Sequence, residues 1–341
     1  ILLAVKADAY GHGLVPIATM AQKCGCVDWL GVATVPEGQE LRTAGIELPI
    51  LKLSHCFPEE LPAAIAANLT LTVVDEDTIQ AAEKAGAIAG QIIDVHLKLD
   101  SGMGRIGARL TEAVTLTKMI DDCPHLNLDG VFTHLPVSDS PAGAEFTNIQ
   151  INEFSTAVEA IKAARGPINF VHLANSGAIL SHDLGISNMV RAGIMAYGYY
   201  PDAETPKTVP LRQVIQLVSR ISFIKYVLAG ESVGYGRTWV AEKPTRIATI
   251  PIGYGDGYSR LLSNCGRALV GGKSCPIRGR VCMDQIMVEV DDSVAVGDQA
   301  VLIGAQGAQF ISTDEIAELT NTINYEVTCQ IGPRVRREYR N

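Results

Sequence analysis

The chain opens with Ile1-Leu2-Leu3-Ala4-Val5-Lys6, a continuous apolar run that ends in a lysine. Such a run is typical of a parallel strand that is covered on both faces. Because the strand begins at the first residue and no initiator Met precedes it, we expect further residues upstream. Similar runs recur along the next two hundred residues, at Leu30–Thr34, Pro49–Leu53, Leu69–Asp75, Ile92–Asp100, Leu128–Leu135, Ile168–Asn175 and Met189–Gly198.

Helix-like segments separate several of these runs. An Ala-rich segment extends from Asp75 to about Gly86, another segment begins at Thr111, and residues 146–165 have a long amphipathic pattern. Eight strand–helix units in series predict a (β/α)8 barrel, whose chemistry lies at the carboxyl ends of its strands. We assign residues 1–210 to this TIM-like barrel.

The pattern changes near Leu211, after a linker with three prolines between Pro201 and Pro210. Strand-like runs joined by Gly-rich turns follow, with one short helix near Thr313–Leu319. We therefore predict an α/β protein in which a mostly antiparallel β-domain, residues 211–341, follows the barrel. Its expected strands are Gln216–Val227, Thr245–Ile252, Arg267–Gly271, Arg280–Val290 and Gln299–Gly304.

The composition excludes several classes of protein. With 47% hydrophobic and 19% charged residues, the chain can bury a large core and is not disordered. A net charge of −9 without a basic block argues against nucleic acid or an anionic membrane as partner. No apolar run approaches the ~18 residues that a membrane span needs. The eight cysteines are scattered, and only Cys24 and Cys26 are close together. We expect free thiols in a reducing cytoplasm, and no metal site.

Lys6 is the first candidate for chemistry. It directly follows a buried run and begins the segment Lys6-Ala7-Asp8-Ala9-Tyr10-Gly11-His12-Gly13. Partial burial lowers the pKa of a lysine amine, and the neutral amine can then bond covalently to a carbonyl group. A surface lysine at the end of a strand is the common alternative, so the neighbouring residues decide between the two.

Unusual polar residues also end later strands. Lys98 and Asp100 alternate onto one side of the fifth strand, and the glycines after them let Arg105 turn toward the barrel mouth. The sixth strand ends at His134 and the seventh at His172. Alone, each feature could be a glycine loop with a surface ion pair or a structural histidine. Their recurrence at successive strand ends favours a site.

A phosphate site is expected around the seventh and eighth strands. Ser176-Gly177-Ala178 could cap a helix and hold phosphate by its hydroxyl and N–H groups, and Gly193-Ile194 could do the same. Arg191 lies just before the second of these segments. A lysine at one wall and a phosphate cradle at the opposite wall predict pyridoxal 5'-phosphate as cofactor.

The β-domain contributes segments in which Tyr, Met or Asn lie beside Gly turns or acidic residues. Alone, each is typical of packing or of a hairpin. The segments are Val233–Thr238, Gly253–Tyr258, Cys282-Met283-Asp284 and Asn324-Tyr325-Glu326-Val327.

Together, these segments resemble the bacterial alanine racemases, which are fold-type III pyridoxal phosphate enzymes. The resemblance covers the whole chain, and its most specific part is the segment Ala4–Gly13, which resembles the family's cofactor-lysine signature. It implies a cytoplasmic homodimer with shared active sites that acts on a small amino acid and supplies D-alanine for peptidoglycan. The other matching segments, in family order, are Lys98–Gly107, Asn175-Ser176, Val190–Gly193, Gly253–Tyr258 and Asn324–Val327.

The resemblance also implies roles for individual residues. Lys6 would bond to the cofactor and serve as one acid/base, and Tyr235 of the partner subunit would be the other. Arg105 would contact the cofactor's phenolic oxygen and the substrate carboxylate, aided by the backbone N–H of Met283. Lys98 resembles a lysine that is carbamylated in many members. The phosphate would be held by Tyr10, Ser176, Gly193, Ile194 and Tyr325.

The remaining roles concern the cofactor ring and the size of the substrate. Arg191 would face the pyridine nitrogen, with His172 behind it, and His134 belongs to the same cofactor-binding set. Tyr254 and Tyr325 would be bulky gate residues that leave room for one methyl group. A methyl-sized pocket discriminates between two substrates by only ~1–3 kcal/mol for each extra methyl-sized group. Some turnover of serine is therefore compatible with it.

Three alternatives stay open from the sequence. A serine or broad-specificity racemase shares the fold and mechanism, and a membrane-attached serine racemase would carry its anchor upstream. A barrel-only protein that carries the cofactor without known turnover is the second alternative. The β-domain with Tyr235 argues against it, because such carriers lack this domain. A fold-type III decarboxylase is not expected to carry this lysine segment. The chain departs from the family at Pro136-Val137, where Ala-rich residues are usual, and in Arg334–Arg337, where an arginine replaces a common proline.

Overall fold

A computed structural model describes residues 1–340 of the chain. These residues divide into two compact units, residues 1–211 and residues 212 onward. Within the described residues, no helix is long and apolar enough to cross a membrane.

The first unit is built on parallel strands that close into a barrel. They form two arcs, in the orders β3-β2-β1-β9 and β4-β5-β7-β8. Single parallel bridges, Leu51 to Thr70 and His172 to Met189, join the arcs into a ring. The short β6 adds to β5 outside the ring. The strands are β1 (Leu2–Ala4), β2 (Trp29–Val32), β3 (Ile50–Lys52), β4 (Leu71–Val73), β5 (Ile93–Asp100), β6 (Ala108–Arg109), β7 (Leu126–Phe132), β8 (Phe170–His172) and β9 (Arg191–Ala192).

Helices follow the barrel strands, and local sequence determines several of their ends. Thr34 and Glu37 form a capping box at the start of α3, and Asp75 and Thr78 form one at α5. Gly90 ends α5 in the left-handed conformation that glycine adopts without steric cost. The helices are α1 (Lys6–Tyr10), α2 (Leu14–Cys24), α3 (Val35–Thr43), α4 (Leu61–Ala66), α5 (Glu76–Ala89), α6 (Ala113–Asp121), α7 (Ala144–Arg165) and α8 (Ser176–Ser181).

The second unit consists mainly of antiparallel sheets around one apolar core. Its sheets have the orders β10-β18-β15-β16, with β19 on β18, β11-β14-β17 and β12-β13. The core includes the fully buried Leu269, Ile286 and Val301. The elements are β10 (Leu217–Arg220), β11 (Phe223–Val227), β12 (Ser232–Val233), β13 (Trp239–Val240), β14 (Thr245–Ile250), β15 (Arg267–Val270), β16 (Lys273–Pro276), β17 (Ile286–Glu289), β18 (Gln299–Gln306), β19 (Gln309–Ile311), α9 (Thr313–Thr320) and α10 (Asn324–Cys329). The predicted fold class is confirmed.

Several details of the sequence prediction were wrong. The expected strand Gln216–Val227 is interrupted, because β10 and β11 pair with different partners, β18 and β14. Only the end of the expected strand Arg280–Val290 is extended in a sheet, from Ile286 onward. The expected eighth strand, Met189–Gly198, keeps two residues of strand and then turns into a short 3-10 helix, Ile194–Tyr197. The second unit was expected to hold one short helix, but the segment Asn324–Cys329 forms a second one.

The cysteine prediction was wrong at one place. Cys24 and Cys26 are joined by a disulfide at the exposed end of α2. Gly25 between them adopts a left-handed conformation, which brings the two Cα atoms to 5.3 Å, within the range that a disulfide spans. The other six cysteines are free, as expected.

Candidate active site

Lys6 follows β1 and begins an unusual turn. The next four residues, Ala7, Asp8, Ala9 and Tyr10, all have φ between 52° and 55°. This is the left-handed region, which costs a non-glycine residue roughly 1–2 kcal/mol. A run of four such residues persists only where neighbouring groups hold it, and strain of this kind is concentrated at functional sites. The turn begins at the lysine itself and leads to the buried Tyr10.

Tyr10 and Ser176 line a small polar cradle. The Ser176 hydroxyl accepts hydrogen bonds from the N–H groups of Gly193 (3.1 Å) and Met195 (3.3 Å). A Cβ atom on Gly193 would lie 2.9 Å from the Tyr10 hydroxyl and 3.4 Å from the Ser176 hydroxyl. Glycine therefore keeps this space open, and hydroxyl and backbone N–H groups surround it. Such a donor set suits a phosphate group. Ile194, which follows Gly193, is fully buried.

The lysine and this cradle are neighbours, which corrects the prediction that they occupy opposite walls. Lys6 leaves β1, and Gly193 leaves β9. Because the barrel is closed, β9 pairs directly with β1, with Leu2 opposite Arg191. The first and last strands of the ring therefore bring the amine and the cradle to adjacent positions at the carboxyl end.

The N-cap of α8 is also assigned differently from the prediction. Ser176 was expected to cap a helix, but Asn175 is the capping residue, and its side chain accepts from the N–H of Ala178 (3.0 Å). A second contact fixes Asn175, because the Ser138 hydroxyl donates to the same side-chain oxygen. The Ser176 hydroxyl is thus left for the cradle.

Arg191 is buried at the start of β9, and its guanidinium is held on several sides. It donates to the carbonyl oxygen of Thr133 (2.7 Å) and of Leu173 (3.2 Å). It also donates to Nδ1 of His172 (3.0 Å) and Nδ1 of His134 (3.1 Å). Burial lowers the pKa of Arg191 to about 10, which still leaves it charged at neutral pH.

A directional chain of hydrogen bonds extends from Arg191 into the barrel. A guanidinium only donates, so Nδ1 of His172 carries a lone pair and its proton lies on Nε2. This Nε2 lies 2.9 Å from Nδ1 of His96, to which it donates. The proton of His96 then lies on its own Nε2, 3.6 Å from a carboxylate oxygen of Asp129. The chain fixes one tautomer of each imidazole.

Both histidines are neutral in this arrangement. Complete burial, followed by the charge of Arg191, lowers the pKa of His172 well below its usual value. Burial is also the main cause of the lowered pKa of His96, although Asp129 opposes it. His134 has a strongly lowered pKa for the same reasons as His172. Arg191 therefore donates to two neutral imidazole rings and to two carbonyl oxygens, and within residues 1–340 no hydrogen bond or ion pair joins it to a carboxylate.

Lys98 lies on β5 among other cationic groups. Burial, followed by the charges of Arg191, Arg105 and Lys6, lowers its pKa to about 7. The amine lies 5.2 Å above the ring of Phe132. At neutral pH about half of the Lys98 amine is therefore uncharged and nucleophilic.

Arg105 is placed by a loop that Asp100 organises. The Asp100 carboxylate accepts from the N–H groups of Gly102 (2.9 Å) and Gly104 (2.9 Å). Both glycines have positive φ, 133° and 68°, which a larger residue would adopt only with strain. Asp100 thus binds backbone amides rather than forming the surface ion pair that was the alternative from the sequence. Arg105 itself is exposed.

Three loops of the second unit carry Tyr235, Tyr254 and Met283. Their side chains are unusually exposed for their size, by 73%, 43% and 52% respectively. The loops touch one another. The N–H of Gly255, next to Tyr254, donates to the carbonyl oxygen of Met283 (2.9 Å). A Cβ on Gly236, next to Tyr235, would lie 3.2 Å from the guanidinium carbon of Arg280. The three side chains therefore belong to one surface of this unit.

Tyr325 lies on α10, whose far end packs against the same group of loops. Gly257 has a φ of 97°, and a Cβ there would overlap the carbonyl oxygen of Gln330 at 1.9 Å. Only glycine allows this contact between the Tyr254 turn and the end of α10. Tyr325 is half-buried.

Sequence reasoning missed three residues of this site: His96, Asp129 and Glu37. His96 and Asp129 lie within apolar strands, where a polar side chain is a signal of a buried network. Glu37 was visible only as a possible helix cap. Its second contact, to Ala7, joins residues 30 positions apart and depends on the fold.

The fold and site define a two-domain barrel protein that presents a lysine beside a cradle of hydroxyl and N–H groups at the carboxyl end of the barrel. Family models for the amino-terminal and carboxyl-terminal domains of alanine racemase match residues 1–201 and 214–339. The chain belongs to the alanine racemase family, and the prediction of an isomerase of this family is confirmed.

The similarity extends over nearly the whole chain. An alanine racemase of Cutibacterium acnes is 52% identical over 339 residues, which are 99% of this chain and 90% of the relative. The structure of alanine racemase from Clostridium difficile 630 superposes with a TM-score of 0.92 at 38% identity, covering 98% of this chain and 87% of that one. The enzyme from Bacillus anthracis, solved with bound L-Ala-P, gives 0.91 at 37% identity, covering 98% and 86%.

Proposed function

We propose that this chain interconverts L-alanine and D-alanine with pyridoxal 5'-phosphate as cofactor. The observation that carries the proposal is the adjacency of Lys6, which follows β1, to the Tyr10–Ser176–Gly193 cradle, with the charged Arg191 on the paired strand β9. Its support includes the 52% identity to an alanine racemase over 99% of the chain. A relative whose structure holds L-Ala-P supports the choice of substrate.

The residues present fit the cofactor. Hydroxyl and N–H donors in the cradle, kept open by Gly193, suit its phosphate. Lys6 would bond to its aldehyde, and Arg191 would face its ring nitrogen. When bound, pyridoxal phosphate supplies an electron sink for negative charge at the substrate α-carbon.

Arg191 would tune that sink. Hydrogen bonds to Nδ1 of His172 and to the carbonyl oxygen of Thr133 fix the orientation of its guanidinium. With a pKa of about 10, Arg191 keeps its proton at neutral pH. Arg191 would donate a hydrogen bond to the ring nitrogen and would leave it unprotonated, because a guanidinium donates and does not give up its proton. A weaker electron sink favours rapid return of the proton to the α-carbon, and hence racemisation over transamination.

Two bases on opposite faces of the substrate would move the proton. Lys6 would take or return it on one face and Tyr235 on the other. Amines ordinarily bind a proton and phenols ordinarily keep theirs at neutral pH. The positive charges of Arg105 and Arg191 would favour the proton-free form of the group that accepts the proton. Arg105 would hold the substrate carboxylate, helped by the N–H of Met283.

We propose that Lys98 is carbamylated, as its lowered pKa supports. The neutral amine attacks the carbon of CO2, a C–N bond forms, one C=O electron pair moves to oxygen, and a proton leaves to solvent. The product is an anion in place of a cation beside Arg105 and Arg191. Its charge would position Arg105.

The working enzyme would be a homodimer in which Tyr235 and Met283 serve the barrel of a second copy. The exposure of Tyr235, Tyr254 and Met283 on one surface supports this arrangement, since large apolar side chains of a site are otherwise covered. Tyr254 and Tyr325 would limit the substrate to a methyl side chain. Supply of D-alanine for peptidoglycan and a cytoplasmic location stay predictions that rest on the family.

The test is formation of the D-isomer from L-alanine and, separately, from L-serine and L-lysine, with cofactor-saturated protein. We expect fast conversion of alanine and much slower conversion of serine. A preference for serine or lysine would move the chain to a racemase of another specificity. No turnover of any of the three substrates would contradict the proposal.

A further inference from the structure

We propose that Glu37 is a positioning residue for Lys6, acting through the left-handed turn that follows the lysine. The inference rests on the proposed function, in which Lys6 bonds to pyridoxal phosphate. Glu37 does not belong to the catalytic group, because its contacts are to backbone amides.

The Glu37 carboxylate joins the ends of two neighbouring barrel strands. One oxygen, Oε1, accepts from the N–H of Ala7 at 2.7 Å, directly after Lys6. The other, Oε2, accepts from the N–H groups of Ala33 (2.8 Å) and Thr34 (3.0 Å), which follow β2. Strands β1 and β2 are paired, with Ala4 opposite Gly31. The carboxylate therefore ties the lysine turn to the adjacent strand at the mouth of the barrel.

The turn is held at both of its ends. At the far end, the N–H of Leu14 donates to the Asp8 carboxylate and the N–H of Gly13 donates to the Asp8 carbonyl, both at 2.8 Å. At the near end, the N–H of Ala9 donates to the carbonyl oxygen of Val5 (2.8 Å), and Glu37 adds a side-chain contact from a neighbouring element, at the N–H of Ala7. Four consecutive residues with positive φ need such constraints. Loss of the near constraint would free the backbone at the lysine while the far end stays in place.

Helix capping alone does not require the contact to Ala7. A capping box uses the Thr34 hydroxyl and the N–H of Thr34, and Glu37 provides both parts of it. The bond to Ala7 is additional and uses the oxygen that the cap leaves over. The two roles therefore lie on different oxygens of one carboxylate.

Glu37→Gln separates these two roles. A glutamine side chain has one oxygen and one NH2 group, so one of the two sides must lose its acceptor. The oxygen is expected on the side of Ala33 and Thr34, where it accepts two bonds instead of one. The NH2 group then meets the N–H of Ala7, donor against donor. The variant thus keeps the cap and loses the hold on the lysine turn.

Glu112→Gln is the matched control. Glu112 also forms a capping box, in which its carboxylate accepts from the N–H of Arg109 at 3.0 Å. A glutamine can keep this single bond by presenting its oxygen, so the control loses the same charge without losing an acceptor. Glu37→Asp and Glu112→Asp form a second pair, which keeps the charge and withdraws it by one methylene.

The experiment compares wild type and these variants as full-length protein freed of cofactor and then titrated with pyridoxal 5'-phosphate. We measure the cofactor dissociation constant, the attachment at Lys6 by borohydride reduction and peptide mapping, and hydrogen exchange at the Ala7 amide. For Glu37→Gln we expect cofactor binding weakened roughly tenfold or more, slower attachment at Lys6, and faster exchange at Ala7. Glu112→Gln should match the wild type in all three.

Two results would overturn the proposal, and they are distinguishable. If Glu37→Gln and Glu37→Asp bind the cofactor and attach it at Lys6 as well as their Glu112 partners do, Glu37 is a helix cap only. If the wild type and the Glu112 variants themselves take up no cofactor at Lys6, the proposed function fails, and the positioning role fails with it.

Discussion

Lys98 is a buried amine in which desolvation and neighbouring positive charge act in the same direction. Folding lowers its pKa from 10.5 to about 7, with burial as the main cause and Arg191, Arg105 and Lys6 as further causes. An amine with this pKa is a proton-releasing group near neutrality and a nucleophile for CO2. The same shift also makes stability depend on pH.

We predict that Lys98 makes the protein more stable as pH rises from about 7 to 10. In this window the unfolded chain keeps the proton on Lys98 and the folded protein has released it, so the free energy of unfolding increases with pH. Urea unfolding of cofactor-free protein in CO2-free buffer should show this rise in the wild type and a smaller rise in Lys98→Met. Lys84→Met, at an exposed position on α5, is the control. A constant difference between wild type and Lys98→Met across the window would contradict the assignment.

At the scale of single elements, the turn from Ala7 to Tyr10 is the part of the barrel that departs most from ordinary geometry. All four of its residues are in the left-handed region, although none is glycine. The turn joins β1 to α2 and places both Lys6 and Tyr10. Two side-chain contacts hold the turn in this conformation. The Ala7 N–H donates to Glu37, and the Asp8 carboxylate accepts from the N–H of Leu14.

We predict that Ala7→Gly does not destabilise the protein and stabilises it by up to about 1 kcal/mol, because glycine relieves the strain of a positive φ. The same change in an ordinary helix, Ala87→Gly on α5, should cost roughly 0.5–1 kcal/mol. Both alanines are exposed, so neither change creates a cavity. Chemical unfolding of the two variants measures the difference. Equal losses at both positions would mean that the left-handed turn does not form in solution.

At the scale of the whole molecule, the second unit presents Tyr235, Tyr254 and Met283 on one exposed surface. Such a surface suits a head-to-tail pair in which each copy completes the other's site. The proposed dimer can be tested by the activity of mixed subunits, without a measurement of molecular mass.

We predict that two inactive variants, Lys6→Ala and Tyr235→Phe, restore activity when their subunits are mixed. In a mixed dimer, one site combines the intact Lys6 of one copy with the intact Tyr235 of the other. Random exchange of equal amounts makes half of the dimers mixed, so about one quarter of the wild-type activity should return. Lys6→Ala mixed with the double variant Lys6→Ala/Tyr235→Phe should recover none. If activity does not exceed the sum of the separate variants although tagged subunits exchange, Lys6 and Tyr235 act within one copy.

Much of the site could be predicted from positions at strand ends. Lys6, His134 and His172 each end or follow a barrel strand, and the barrel rule alone predicts that they meet. Arg191 begins the short β9. The residues that support them could not be predicted in this way. His96 lies inside β5, and its partner His172 is 76 positions away, so the hydrogen bond between them exists only in the folded barrel.

The element boundaries also divide into those that the sequence predicts and those that depend on tertiary contacts. Continuous apolar runs predicted the barrel strands to within a few residues, because burial on both faces selects their composition. The β-domain was harder, since β10 and β11 lie in one strand-like stretch of the sequence and yet pair with different strands. The length of β9 is also set from outside, because Gly193 and Ile194 leave the strand to form the cradle.

By itself, the sequence determined the two-part fold class, the family, and the residue types that carry the chemistry, because these depend on hydrophobic periodicity and on local motifs. The tertiary structure alone decided that Lys6 and the Gly193 cradle are neighbours, since closure of the barrel pairs its first strand with its last. It also decided the tautomers of His172 and His96, and the hold of Glu37 on the lysine turn. Each of these joins groups that are far apart in the chain, and only packing brings their donors and acceptors within hydrogen-bond distance.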